Sequence, residues 1–425
     1  MISMNTRFFN AKILKMDVSM ELMEGEVWVE GNRISYVGPG REEHPVWDRE
    51  IDAQGNLLMP GFKNAHTHSA MTFLRSYADD LPLLEWLEKQ IFPMEAKLLP
   101  EDVYWLCKLA IMEYLTSGIT SNFDMYFHTE MIAKASKDCG FRTVMVSGVS
   151  DFASSLEEVE ADYLRFNKYD ELISYQLGFH GEYTSSKELL QGLVTLAHKY
   201  QAPVFTHNSE TKSEVEQCFQ RTGMTPTVYL DSLGMFEYGG GGYHCVHMTD
   251  EDLDIFAKHG MTVVTNPGSN TKLASGIARI SDMMKKGIGL AIGTDGPASN
   301  NCLDMFREMF LVTGLAKLRE EKASAVPAGS VLRMAVCGGA KAMGLTDCDC
   351  IEKGKLADLI LIDLNQPNMQ PLNDIVKNVV YSGSKQNVKL TMVNGRVLYE
   401  DGKFFIGTEA NEVYAKANEI INRMK

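Results

Sequence analysis

Hydrophobic and polar positions alternate with a period of two at both ends of the chain, and the period changes in between. The first segment runs from "TRFFNAKILKMD" through "GEVWVEGNRISYVG" to "REIDAQGNLLMPG". Its short β-rich runs separated by Gly, Asn and Asp turns predict a small β unit over residues 1–57. The C-terminal part, 346–425, has the same alternation, and "KLADLILIDL", "VVYSG" and "VKLTMVNGRVLYEDGKF" read as strands, with a hairpin turn at Asn394 and Gly395. Two β-rich ends around a different middle predict one small β-sandwich built from both termini.

Across 58–345 short β-branched runs are separated by helical stretches. Eight such runs stand near 57–66, 119–125, 142–149, 172–179, 203–207, 243–247, 261–266 and 288–295. Eight strands alternating with helices predict an α/β fold, a closed (β/α)8 TIM-like barrel. An open doubly wound sheet is disfavoured because no GxGxxG follows an early strand. The run Gly239–Gly242 has no following Gly-Lys-Ser/Thr and reads as a flexible lead-in to a strand rather than a phosphate loop.

Composition narrows the function. The 425 residues suffice for a large barrel with an accessory unit, and 45% hydrophobic with 23% charged residues is an ordinary globular balance. No apolar run approaches the roughly 20 residues needed to span a bilayer, so no membrane role is expected. The N-terminus lacks a signal-peptide pattern, which predicts a cytoplasmic location. Lys+Arg 41 against Asp+Glu 56 gives a net charge of −15, which repels a phosphate backbone and argues against nucleic acid. The expected partners are a small-molecule substrate and further copies of the chain, as a homo-oligomer. Eight cysteines without CxxC pairs suit buried free thiols.

In a barrel of this kind the reactive groups lie at the C-terminal ends of the strands. The residues there are distinctive: His66 and His68 at strand one, His180 after strand four, His207 at strand five, His244 and His247 at strand six, and Asp295 at strand eight. Positions i and i+2 on a strand point the same way, so both His66 and His68 can face the barrel mouth. Imidazoles plus one carboxylate suit zinc, with iron, cobalt or nickel as alternatives. His66, His68, His207 and Asp295 are the predicted ligands. Strand alternation sets His244 and His247 on opposite faces, and of the two His244 is read as the inward one. His44, His128, His198 and His259 read as loop, surface or packing residues.

The stretches "PGFKNAHTHSAMTFLRSYADDLPLLEWL", "FDMYFH", "THNSE", "HCVH", "NPGSNTKLASGI" and "GTDGPASNN", with "GKLADLILIDL" and "MVNGRVLYEDG" near the C-terminus, resemble the amidohydrolase superfamily. Within it they resemble the aminohydrolases acting on 5'-methylthioadenosine, S-adenosylhomocysteine and adenosine. The resemblance implies one divalent metal rather than two, because no lysine ends strand three or four ("VMVSGV", "YQLGFHGEY").

It also implies roles for single residues. Asp295 would accept a proton from water, Glu210 would protonate a ring nitrogen and His244 would orient the nucleophile. Glu95 would bind ribose hydroxyls, His180 would contact substrate and Trp86 would wall the pocket. Glu182 stands where relatives carry proline, as a solvated carboxylate or a reader of a substrate group. Relatives that accept S-adenosylhomocysteine use arginines in and after strand three, whereas "VMVSGVSDFASSLEE" offers Ser147 and Ser155 and no arginine. That departure implies a substrate without the carboxylate. The alternatives are an aminohydrolase of a guanine, pterin or triazine ring, or a catalytically silent scaffold relative.

Overall fold

A computed structural model of the chain describes residues 4–42, 44–81 and 83–425. Eight strands form the barrel: β1 (Phe62–Thr67), β2 (Ile119–Met125), β3 (Arg142–Val146), β4 (Ile173–Gly181), β5 (Val204–Asn208), β6 (Gly240–His244), β7 (Thr262–Thr265) and β8 (Gly289–Ile292). Each pairs in parallel with the next in chain order. All seven residues of β2 are buried, as a strand covered on both faces requires. Phe123, Val144, Phe205, Tyr243 and Val264 fill the lumen.

The ring is closed between β8 and β1 mainly by side chains. The Asn64 amide donates to Thr294 Oγ1 and accepts from the Thr294 N–H, both at 2.8 Å. The Asp295 N–H donates to the His66 carbonyl at 3.0 Å. Closure therefore brings together the two chain segments that carry the predicted ligands. Thr211 and Thr249 cap the helices that follow β5 and β6, each accepting an N–H from the first turn.

Both chain ends meet in one nine-stranded sheet. From one edge the order is Lys403–Phe404, Arg396–Glu400, Val388–Val393, Leu359–Ile362, Leu57–Pro60, Thr6–Leu14, Leu22–Glu30 and Arg33–Gly38, with Arg49–Asp52 beside Thr6–Leu14. Phe8, Ile13, Val27, Leu58, Leu361 and Leu390 form a small core of its own. No helix among the described residues is long and apolar enough to cross a membrane.

Two sequence readings need correction. The run expected as one strand over 57–66 is two: Leu57–Pro60 belongs to the nine-stranded sheet, and β1 begins at Phe62. The chain passes between sheets at Gly61, where a Cβ would stand 2.1 Å from Thr120 Cγ2. The glycine run is no flexible lead-in, because Gly240–Gly242 are β6 itself. Gly240 has φ +129°, and a Cβ there would lie 1.9 Å from the Val204 carbonyl oxygen, so only glycine lets β6 come this close to β5.

A buried ion cluster joins the barrel floor to the terminal sheet. Asp358 takes two bonds from Arg142, at 2.8 and 3.1 Å, and one from the Asn394 N–H at 2.7 Å. Lys63 Nζ lies 3.9 Å away and donates to Thr120 Oγ1 at 2.7 Å. Burial pushes the Asp358 carboxyl up, but the two cations override it and hold it below its ordinary value. Removing one partner of such a group leaves unpaired buried charge. Asp358→Ala is expected to cost about 3–5 kcal/mol in urea unfolding monitored by circular dichroism, whereas a loss below about 1 kcal/mol would show the cluster to be incidental.

Candidate active site

The ends of β1, β5 and β8 bring four groups together. His66, His68 and His207 offer ring nitrogens that all lie within 4.8 Å of one another, and so do the ligating atoms of His66, His244 and Asp295. His66 Nε2 and His68 Nε2 stand 3.5 and 3.2 Å from Asp295 Oδ1. The rings are oriented from behind: His68 Nδ1 bonds the Met125 carbonyl at 2.5 Å, and His207 Nδ1 bonds the His180 carbonyl at 2.6 Å. An Nδ1–H donating to a carbonyl leaves Nε2 with a lone pair aimed inward, the usual arrangement of a metal-binding histidine.

Asp295 is held as firmly. Its residue adopts φ +57°, its Oδ2 accepts from Ser269 Oγ at 2.6 Å and Ser299 Oγ at 2.7 Å, and Oδ1 is left to the imidazoles. Burial pushes this carboxyl up, yet His66, His68 and the charge of His244 outweigh burial and hold it well below the usual carboxylate range. Burial pulls His66 down to about 3 and His207 well below its ordinary value, so both are neutral donors. For His68 burial works downward and Asp295 wins, raising it to about 8.

A buried carboxylate thus faces His66 and His68, and neither ring nitrogen of His66 has a hydrogen-bond partner. Three nitrogens and one carboxylate fit a divalent metal ion, and the unpartnered nitrogen of His66 is what such an ion would satisfy.

Two further groups face this cluster. Glu210 follows β5, and its Oε2 lies 3.7 Å from His244 Nε2, which is 3.9 Å from Asp295 Oδ2. Burial and the nearby Asp295 charge push the Glu210 carboxyl up, against the pull of His244. His244 sits at φ +67°, and its Nδ1 bonds Asn270 Oδ1 at 2.7 Å. His247 points elsewhere: its Nε2 meets the Ser275 carbonyl at 2.7 Å, and it borders an open groove of about 910 Å³ outside the cluster. The turn that presents Glu210 is pinned by Glu214, which accepts the N–H groups of Ser209 at 2.8 Å and Glu210 at 2.7 Å.

The cluster forms the floor of a cavity of about 490 Å³, with Glu95, His180 and Trp86 in its wall. Glu95 accepts a hydrogen bond from Tyr126 OH at 2.6 Å, and burial pushes it up to about 7. His180 bonds Thr184 Oγ1 through Nδ1 at 3.0 Å, and burial pulls it down to about 4.

Two expected substrate contacts do not reach this space. Glu182 is neither solvated nor aimed at the cavity; it is buried and paired with Arg221 at 2.5 Å. Ser147 is turned into the backbone, where its Oγ accepts the Val149 N–H at 3.1 Å, and its neighbours Gly148 and Ser150 line the cavity instead.

Sequence reasoning missed the supporting residues Ser269, Ser299, Asn270, Glu214 and Glu308. Of these only Glu214 left a local signal, the Thr-x-x-Glu capping box at 211–214. Glu308, pushed by burial to about 8, accepts the Gly268 N–H and an Asn300 N–H at 2.8 Å each, bracing the loops that carry Ser269 and Ser299.

The "Amidohydrolase family" model matches residues 57–398. A 5-methylthioadenosine/S-adenosylhomocysteine deaminase of Thermoanaerobacter pseudethanolicus is 40% identical over 410 residues, covering 94% of each chain. Among solved structures, an adenosine deaminase from Xanthomonas campestris with bound zinc superposes with a TM-score of 0.92 at 31% identity, covering 99% of this chain and 98% of that one. A guanine deaminase from C. acetobutylicum, at 19% identity and a TM-score of 0.81 over 92% of this chain and 99% of that one, shares the fold.

Binding at such a cluster is linked to folding. Dialysis against a chelator is expected to lower the melting temperature, and returning a divalent ion at 1,000 times its Kd is expected to restore roughly 4 kcal/mol. Calorimetry showing the same transition with and without chelator would count against the metal.

Proposed function

The chain belongs to the amidohydrolase family, and from that premise we propose that it is a metal-dependent aminohydrolase converting an adenine nucleoside to the inosine analogue and ammonia. The observation that carries this reading is the placement of two buried acids, Glu210 and Asp295, on either side of His244 Nε2, with surroundings that push their carboxyl groups in opposite directions. The imidazole neighbours of Asp295 hold its carboxyl well below the ordinary range, and burial beside it pushes the Glu210 carboxyl up. Environments that push two carboxyl groups apart assign one as base and the other as acid. The names borne by the relatives, deaminases of adenine nucleosides, point the same way.

One divalent ion, zinc first and iron, cobalt or nickel otherwise, held by His66, His68, His207 and Asp295, would lower the pKa of a water toward neutrality. Asp295 takes a proton from the attacking water. His244, fixed by Asn270 at Nδ1, presents Nε2 to orient the nucleophile. Glu210 gives its proton to a ring nitrogen of the base, which makes the carbon bearing the amino group electrophilic. Water oxygen adds to that carbon, the C–N bond breaks, ammonia leaves with the proton relayed through Asp295, and the added hydroxyl becomes the carbonyl by returning its remaining proton to Glu210. Glu95 receives the ribose hydroxyls at the far end, while neutral His180 and Trp86 flank the substrate.

The cavity also supports a choice among nucleosides. Among the described residues none of its lining side chains is a lysine or arginine, and Phe92, Met125, Phe127, Phe152 and Leu273 give it a largely apolar wall. A substrate carboxylate would find no bidentate cation there. The 5' position therefore suits a hydroxyl or a small apolar group such as methylthio.

Ammonia release from a panel of amino-substituted heterocycles tests the assignment. Adenine nucleosides are expected to be turned over and guanine, pterin and triazine substrates not. Glu210→Gln should lose roughly 10²–10⁴-fold in kcat at unchanged metal content, and near-normal turnover in that variant would remove Glu210 from the mechanism. In the same assay kcat/KM for methylthioadenosine should exceed that for S-adenosylhomocysteine by roughly tenfold or more, the worth of one charge-assisted contact. The reverse order would refute the apolar 5' site.

A further inference from the structure

The helix Met305–Glu320 follows the Asp295 loop and has two contrasting faces. Inward it buries Phe306, Glu308, Met309, Val312 and Ala316. Outward it presents Arg307, Phe310, Gly314 and Leu318, followed by its cap residue Glu321, at the three- and four-residue spacing that keeps side chains on one side of a helix. Phe310 is 52% exposed and Leu318 73%, which makes a stripe of large apolar side chains facing solvent. Tyr381, 39% exposed on the neighbouring Asn378–Ser382 segment, widens it; Lys317 Nζ lies 5.7 Å from the Tyr381 ring. At the centre stands Gly314, where a Cβ would meet nothing within 4 Å. Packing inside this chain therefore does not require a glycine there, although glycine is the poorest helix former after proline.

We propose that this face is the interface between two copies of the chain, with the two helices antiparallel about a two-fold axis beside Gly314. The residue pattern is self-complementary in that arrangement and commits the face to a second copy. Each position meets the one equally far on the other side of Gly314. Phe310 opposes the partner's Leu318, and Arg307 opposes the partner's Glu321, each pair occurring twice. Both charged residues are exposed, and Arg307 has a single hydrogen bond, at 3.5 Å to the Asn300 carbonyl. The central glycines let the two backbones cross closely. An isologous contact of this kind buries the stripe and closes on itself without propagating. It is independent of the reaction assigned above, although the inner face of the same helix carries Glu308.

Sedimentation equilibrium of the full chain at micromolar concentration tests this. Wild type is expected to be a dimer whose melting temperature rises with protein concentration. Gly314→Leu fills open space in one copy and strengthens the isolated helix, so it should stay folded by circular dichroism while sedimenting as a monomer. Arg307→Glu should weaken the dimer by roughly tenfold or more in Kd, and Arg307→Glu combined with Glu321→Arg should restore it. A monomeric wild type, or a Gly314→Leu variant that dimerises as tightly as wild type, overturns the interface. An Arg307→Glu variant of unaltered affinity, or a double variant that is not rescued, overturns the antiparallel pairing.

Discussion

A carboxylate held ionised inside the barrel mouth is the constraint around which the rest is arranged. Taking one such charge out of water costs several kcal/mol even after relaxation, and Asp295 is compensated from several directions. Two serine hydroxyls bind Oδ2, two imidazoles face Oδ1, and its own backbone N–H closes the strand ring through His66. Barrel closure and assembly of the site are therefore one event. The segment that completes the sheet also delivers Asp295 to the three histidines, with its backbone in a left-handed conformation that the surrounding bonds hold in place.

The acids around it behave oppositely because their surroundings differ. Glu210 and Glu308 are buried without a full cation partner, and burial pushes the first carboxyl up and the second to about 8. Glu214 is pushed to about 7 by burial and by Glu210, while three backbone N–H groups pull it back. A carboxyl held down is the readier to accept a proton, and one pushed up the readier to supply it. Nothing in the residue types distinguishes these roles; the number of positive neighbours does.

The terminal sheet contributes from a distance. Its Asp358 locks against Arg142 and Lys63 at the bottoms of β3 and β1, fixing the strand whose other end carries His66. On the far side, the helix Met305–Glu320 braces the Ser269 and Ser299 loops through Glu308. The site is supported by rigid elements above and below, which suits chemistry that needs donors placed before the substrate arrives.

Periodicity alone determined the class of fold here, since strand-length apolar runs alternating with helices leave few ways to bury both. The gathering of His66, His68, His207 and Asp295 was equally legible, because they fall at strand ends and strand ends in a barrel converge. The directions of side chains that leave the strands were not legible. Glu182 and Ser147 lie next to residues that line the cavity, yet one is captured by Arg221 and the other by a backbone N–H, partners set by turns and by a helix 39 residues away. Protonation states, the supporting serines and the closeness of Gly240 to Val204 likewise arise from groups distant in sequence. Local pattern fixes which residues point inward along a strand, and only the packed structure decides what each of them meets there.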